Sequence, residues 1–152
     1  MEYRVTPKYL EELNIGDKFF TPSRTVTEAD IVHYAALSGD YNPIHTDDEF
    51  AKTTPFGKKL VHGPLTTAIS IGLLFRMGLL DRNSLALLNL DTKFMKPVFA
   101  GDTLRCVIEV IDKRDTRRPE RGVLTMLIST YNQKNEVVME ARQVEMHARR
   151  PQ

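Results

Sequence analysis

The chain has 152 residues, enough to bury a sizeable core in a single domain spanning residues 1–152. Its 41% hydrophobic and 27% charged residues are those of an ordinary globular protein, and a net charge of +1 offers nothing to nucleic acid or an anionic membrane surface. One cysteine, Cys106, excludes an internal disulfide framework; the mixed-charge start lacks a signal-peptide core and Arg76 interrupts the longest apolar run, so a cytoplasmic location is expected.

Residues 1–18 read as a short helical or irregular lead-in lying loosely on the body, closed by a turn at Gly16-Asp17. Phe19 to Val26 reads as a strand weakened by Pro22, and so as an edge strand or an entry to the next helix. Thr27, followed by Glu28 and Asp30, is a helix start with a hydroxyl cap and acids in the first turn. That helix runs to about Ser38 and ends at Gly39. Thr46 to Lys52 is expected to hold one or two helical turns. Gly63-Pro64 opens a second helix, Leu65 to Leu80, apolar nearly all round and therefore buried on most faces. Four β-rich segments follow, Leu85–Met95, Thr103–Lys113, Val123–Tyr131 and Glu136–Ala148, with a charged loop from Arg114 to Gly122 and a hairpin turn at Asn132–Asn135. Leu104, Cys106, Ile108 and Val110 alternate as a half-buried strand requires. Helices first and a strand meander second predict an α+β fold, an antiparallel sheet wrapped around one long buried helix.

The stretch from Ala35 to Gly63 holds the chemistry. Asp40 and His45 stand five residues apart with Gly39, Asn42 and Pro43 around them. A continuous helix would send the two side chains to different faces, whereas an irregular turn can aim both at one point. A carboxylate and an imidazole so placed can divide proton transfer to and from a water. The ordinary alternative has Asp40 capping the next turn and His45 filling a polar pocket, and spacing does not choose between them. Asn42 can orient substrate or water, or simply form an Asx turn. Gly63 brings a free amide to the positive end of a helix dipole, where a carbonyl oxygen would be polarised; taken alone, a packing glycine is its ordinary reading.

His33, His45, His62 and His147 lie at scattered spacings without a paired-histidine motif, so no metal site is expected. Ser38 lacks the surroundings of a nucleophile elbow, and Cys106, among apolar neighbours, reads as core.

Ser38-Gly39-Asp40-Tyr41-Asn42-Pro43-Ile44-His45, followed by Phe56-Gly57 and Val61-His62-Gly63, resembles the hydratase motif of MaoC-like dehydratases and (R)-specific enoyl-CoA hydratases. The likeness continues through Leu90–Thr103, where Phe94–Thr103 looks like the family's strand-and-turn segment, and covers nearly the whole chain. It implies a hot-dog fold and homodimers, sometimes assembled further. It implies Asp40 and His45 as the catalytic acid/base pair, Asn42 in support and the Gly63 amide as donor to a thioester carbonyl. The implied reaction is reversible syn addition of water to a trans-2-enoyl-CoA, giving an (R)-3-hydroxyacyl-CoA. The coenzyme A thioester is then the substrate, and no separate cofactor is expected. The phosphates of coenzyme A call for basic residues at the entrance. Lys96 is the leading candidate, ahead of Lys58, Lys59 and Lys93, and a solvated surface lysine is the ordinary role of each. The family's hydratases often carry Ser-Gly on the central helix; here the pair is Ile71-Gly72, with Ser70 one residue, or about 100°, away. Two other functions suit the same fold: an acyl-CoA thioesterase, or a non-catalytic acyl-CoA or acyl-carrier-binding subunit.

Overall fold

The structure, a computed structural model, describes residues 6–151. Local chemistry sets the first helix. Thr27 caps α1 (Glu28–Ser38): its hydroxyl accepts from the Asp30 N–H while the Asp30 carboxylate accepts from the Thr27 N–H at 2.8 Å. Gly39 ends α1 in the left-handed region at φ 77°, donating its N–H back to the Ala35 carbonyl. Two short helices follow, α2 (Pro43–Thr46) and α3 (Asp48–Lys52). Asn42 caps the first and Asp47 the second.

The expected edge strand is two short ones, β1 (Lys18–Phe20) and β2 (Arg24–Thr25), both antiparallel to β4 (Thr103–Asp115). Pro22 lies in the break, where the Thr21 N–H and hydroxyl still hold the Cys106 carbonyl and N–H. With β3 (Ser84–Phe94), β5 (Arg121–Tyr131) and β6 (Val137–Ala148), the main sheet runs β1-β4-β5-β6-β3, antiparallel throughout. The long helix α4 (Gly63–Phe75) lies across it and buries Leu65, Ile69, Leu73 and Leu74 against the inward residues of β4, β5 and β6. This is the α+β arrangement that the sequence predicts, in the hot-dog form that the resemblance implies.

Two expectations need correction. The second helix stops at Phe75, not Leu80. Gly78, at φ 70°, turns the chain, and Leu80 is buried in the core beyond the helix; it is apolar because it is buried and not because the helix continues. The helix is buried on most faces, as expected, and leaves one exposed stripe of Pro64, Ala68, Gly72 and Phe75. The lead-in is not loosely held: Leu10, in the 3₁₀ turn Leu10–Glu12, and Leu13 are fully buried. A side chain at Gly122 would strike the Leu10 side chain, and the Lys113 ammonium donates to the carbonyls of Leu10 and Leu13. Residues 1–5 of that segment lie outside the described residues.

One face of β6 carries a buried polar row. Glu145 accepts from the Ser84 hydroxyl and the Gln143 amide, each at 2.9 Å, and meets His147 Nδ1 at 2.8 Å. His147 Nε2 donates to the Lys8 carbonyl at 2.9 Å, so the row also anchors the N-terminal segment.

Candidate active site

The turn after α1 is built from its own short side chains. The Asp40 N–H donates to Ser38 Oγ, the Asn42 N–H to Asp40 Oδ1 at 3.2 Å and the Ile44 N–H to Asn42 Oδ1 at 3.2 Å. Asp40 thus remains exposed at the edge of the turn, and Asn42 uses its carbonyl oxygen to cap α2. One turn into α2, half-buried His45 is fixed through Nδ1, 2.8 Å from the Leu60 carbonyl. A carbonyl can only accept, so Nδ1 carries the hydrogen and Nε2 is the nitrogen left for chemistry.

His62 completes the cluster. It is the N-cap residue of α4 and fully buried, and its Nε2 donates to the Asp40 carbonyl at 3.0 Å. Its ring stacks on His45 with centroids 3.9 Å apart and planes 26° from parallel, and the Tyr34 ring stands 4.9 Å away. Asp40, His45 and His62 each place one donor atom within 4.8 Å of the others. Such proximity raises the question of a metal, which scattered spacings could not. The rings fit one poorly: stacked face to face, they keep their lone pairs in two separate, near-parallel planes, and carbonyls occupy His45 Nδ1 and His62 Nε2.

Gly63 opens α4, so its N–H has no partner within the helix. Pro64 follows at the position where a missing N–H costs nothing. A cavity of about 370 Å³ is lined by His45 and Gly63 and walled by Phe56, Leu60, Phe94 and Val98. Phe94 also lines a second, mostly apolar hollow of about 410 Å³ with Thr67, Ile71 and Leu90. A third cleft, about 540 Å³, lies between α1 and α4 and includes Tyr34, Gly72 and Arg76.

Ser70 does not approach Asp40. Its hydroxyl is buried on the sheet side, donating to the Thr66 carbonyl at 2.8 Å and bonding the Thr130 hydroxyl at 2.9 Å. Cys106 is in the same buried group, and burial pushes its thiol up against the smaller opposing effects of Thr130 and Ser70. Lys96 lines the first cavity with its ammonium on Glu136 at 2.7 Å, a bond that holds the Glu136 carboxyl below its ordinary value. Lys58 lies 4.2 Å over the Phe99 ring, and Lys59 is paired with Glu28 and Asp48. Sequence reasoning missed His62, although it stands in the motif directly before Gly63.

The MaoC like domain model matches residues 11–132. The protein MaoC of Klebsiella aerogenes is 38% identical over 124 residues, which are 80% of this chain but 36% of that longer one. The (R)-specific enoyl-CoA hydratase of Aeromonas caviae is 35% identical over 107 residues, 70% of this chain and 78% of that one. Among solved structures, one described as a monoamine oxidase regulatory protein from Archaeoglobus superposes with a TM-score of 0.88 at 37% identity, covering 95% of this chain and 97% of that one. By motif, site geometry and these likenesses, the chain belongs to the family of MaoC-like domains.

Proposed function

We propose that this protein is a hydro-lyase that adds water reversibly to a trans-2-enoyl-CoA, giving an (R)-3-hydroxyacyl-CoA. The observation that carries the proposal is the Asp40 carboxylate standing within 4.8 Å of a His45 ring nitrogen, while His45 and Gly63, whose N–H has no partner within its helix, together line an apolar cavity. The thioester carbonyl would accept from the Gly63 N–H at the positive end of α4, drawing charge to oxygen as water attacks Cβ. Asp40 and His45 would hold that water between them, one taking its proton and the other delivering one to Cα on the same face. The chemistry asks for no cofactor beyond the thioester itself. Asn42, whose amide nitrogen is left over from capping, would support the pair, and Lys96 would exchange Glu136 for a coenzyme A phosphate at the cavity mouth.

The assembly we propose is a homodimer. Strand β3 is a sheet edge of 11 residues on which Leu85, Leu87 and Leu88 are exposed. Long apolar edges are left uncovered at the risk of aggregation, and a second copy would cover this one. Among the described residues no helix is long and apolar enough to cross a membrane.

A panel of enoyl-CoA esters graded in length and charge tests the reaction, followed for loss of the enoyl absorbance and release of thiol together. Hydration without thiol release is expected. Thiol release without prior loss of the enoyl group would make the protein a thioesterase, and protection against heat without turnover would make it a binding subunit.

A further inference from the structure

We infer that His62 is the positioning residue of this site, locking Asp40, His45 and the Gly63 amide into one rigid unit; the inference rests on the hydratase reading above. Asp40 sits on an exposed turn held by short local bonds, and half-buried His45 on the single-turn helix that follows it, tied through Nδ1 to the Leu60 carbonyl. A turn of that kind does not by itself hold two groups within the tolerance that proton transfer requires. His62 supplies what the turn lacks. It is fully buried at the start of the longest helix, 22 residues from Asp40 and 17 from His45 in sequence. Its two faces of interaction address the two members of the pair separately. The Nε2–H donates to the Asp40 carbonyl, while the ring face stacks at 3.9 Å on His45, whose other constraint is the Leu60 carbonyl.

His62 also carries the third component covalently, because the Gly63 N–H belongs to the His62–Gly63 peptide. Moving the imidazole moves the carbonyl donor with it. A packing role does not account for this choice of residue. Nδ1 of His62 is buried without a partner among the described residues, an unfavourable state that leucine or phenylalanine in the same space would avoid. What the imidazole adds is the donor and the stack together.

Two substitutions separate these contacts. His62→Phe keeps a ring to stack on and removes the donor; His62→Gln keeps a donor and removes the ring. In purified full-length protein that retains the wild-type circular dichroism, each is expected to lower kcat for crotonyl-CoA by about 10- to 100-fold, leave KM near its wild-type value and move the pH–rate profile. Folded variants with unchanged kcat and profile overturn the inference, as does a rise in KM alone. Should the wild type hydrate no enoyl-CoA, the hydratase reading fails by itself. The positioning is then read from the His45 ring-proton resonances, which lie upfield under the stacked ring and move downfield in His62→Gln; unmoved resonances overturn it. If neither variant folds, the wild type decides. Nuclear Overhauser contacts between the two imidazoles and a slowly exchanging His62 Nε2–H are expected, and absence of either sinks the idea.

Discussion

Gly63 faces the Phe94 ring so closely that a Cβ on the glycine would stand 2.8 Å from the ring's Cζ. The crowding involves the far end of one side chain, half of it open to solvent, so the ring can yield where backbone could not. Gly63→Ala is therefore expected to fold, with Phe94 pushed aside and the thioester displaced from the amide it should reach. Loss of a well-aimed oxyanion donor costs roughly 100- to 1,000-fold in kcat. Pairing the substitution with Phe94→Leu makes room and should recover part of that loss. A Gly63→Ala single variant as active as the wild type would remove the Gly63 amide from the reaction.

Asp40→Asn and His45→Gln each remove a titrating group while keeping size and hydrogen bonding. Each is expected to lower hydration by about 100- to 10,000-fold, with the double variant little worse than either, as befits groups that act on one water. The circular dichroism and thermal transition should stay close to wild type, since Asp40 is exposed and His45 half-buried. Folded variants that hydrate crotonyl-CoA at the wild-type rate contradict the assignment.

Local chemistry explains which parts of this molecule can be read from the chain. Thr27, Asp30 and Gly39 bound α1 through contacts within a few residues, and the alternation along Leu104–Val110 reports a strand with one buried face. The resemblance carried by the motif points to Asp40, His45 and Gly63 together, and in the structure His45 lies between the other two, near the Asp40 carboxylate and on the cavity that Gly63 lines. The rest depends on partners far away in sequence. Leu10 is buried because Gly122, more than a hundred positions on, has no side chain. Phe94, at the end of β3, lies against Gly63, and His62 reaches His45 only once α4 is laid on its bed. Leu80 shows the opposite error: hydropathy records burial, and cannot say that the helix has already ended.

The exposed leucines of β3 give the assembly a direct test. Leu87→Asp puts a charge on the free edge, 56% exposed in the isolated chain, and is expected to shift the protein from dimer to monomer in sedimentation or gel filtration without unfolding it. A wild type that sediments as a monomer at micromolar concentration would leave that edge without a partner of its own kind.

Ile71 lines the apolar hollow that shares Phe94 with the Gly63 cavity, where the family's hydratases often carry serine. An acyl chain passing Phe94 would meet it. Ile71→Ala should therefore favour longer substrates: kcat/KM for octenoyl-CoA is expected to rise relative to crotonyl-CoA by on the order of 10-fold, the scale of one or two methylene groups in an apolar pocket. An unchanged ratio would route the chain elsewhere, the cleft beside Tyr34 and Arg76 being the remaining space.

Asp30 links stability to pH at the start of the helix that ends beside Asp40. Burial works to raise its carboxyl, but the Thr27 N–H, the Thr27 hydroxyl and the Arg24 guanidinium outweigh it, so the folded value lies below the ordinary one. The sign follows. Between the folded value and the unfolded one near about 3.9, the unfolded chain binds more protons, so stability rises with pH across that window. The contribution is complete above the unfolded value and is lost as pH falls through the folded one. Asp30→Asn keeps much of the cap geometry and loses the charge, at a cost of about 1 kcal/mol at pH 7. In urea melts taken at pH 7, 5, 4 and 3, the gap between wild type and Asp30→Asn should hold down to pH 5 and then close. A gap that stays constant to pH 3 would show that the carboxylate's charge contributes nothing to holding α1 in place.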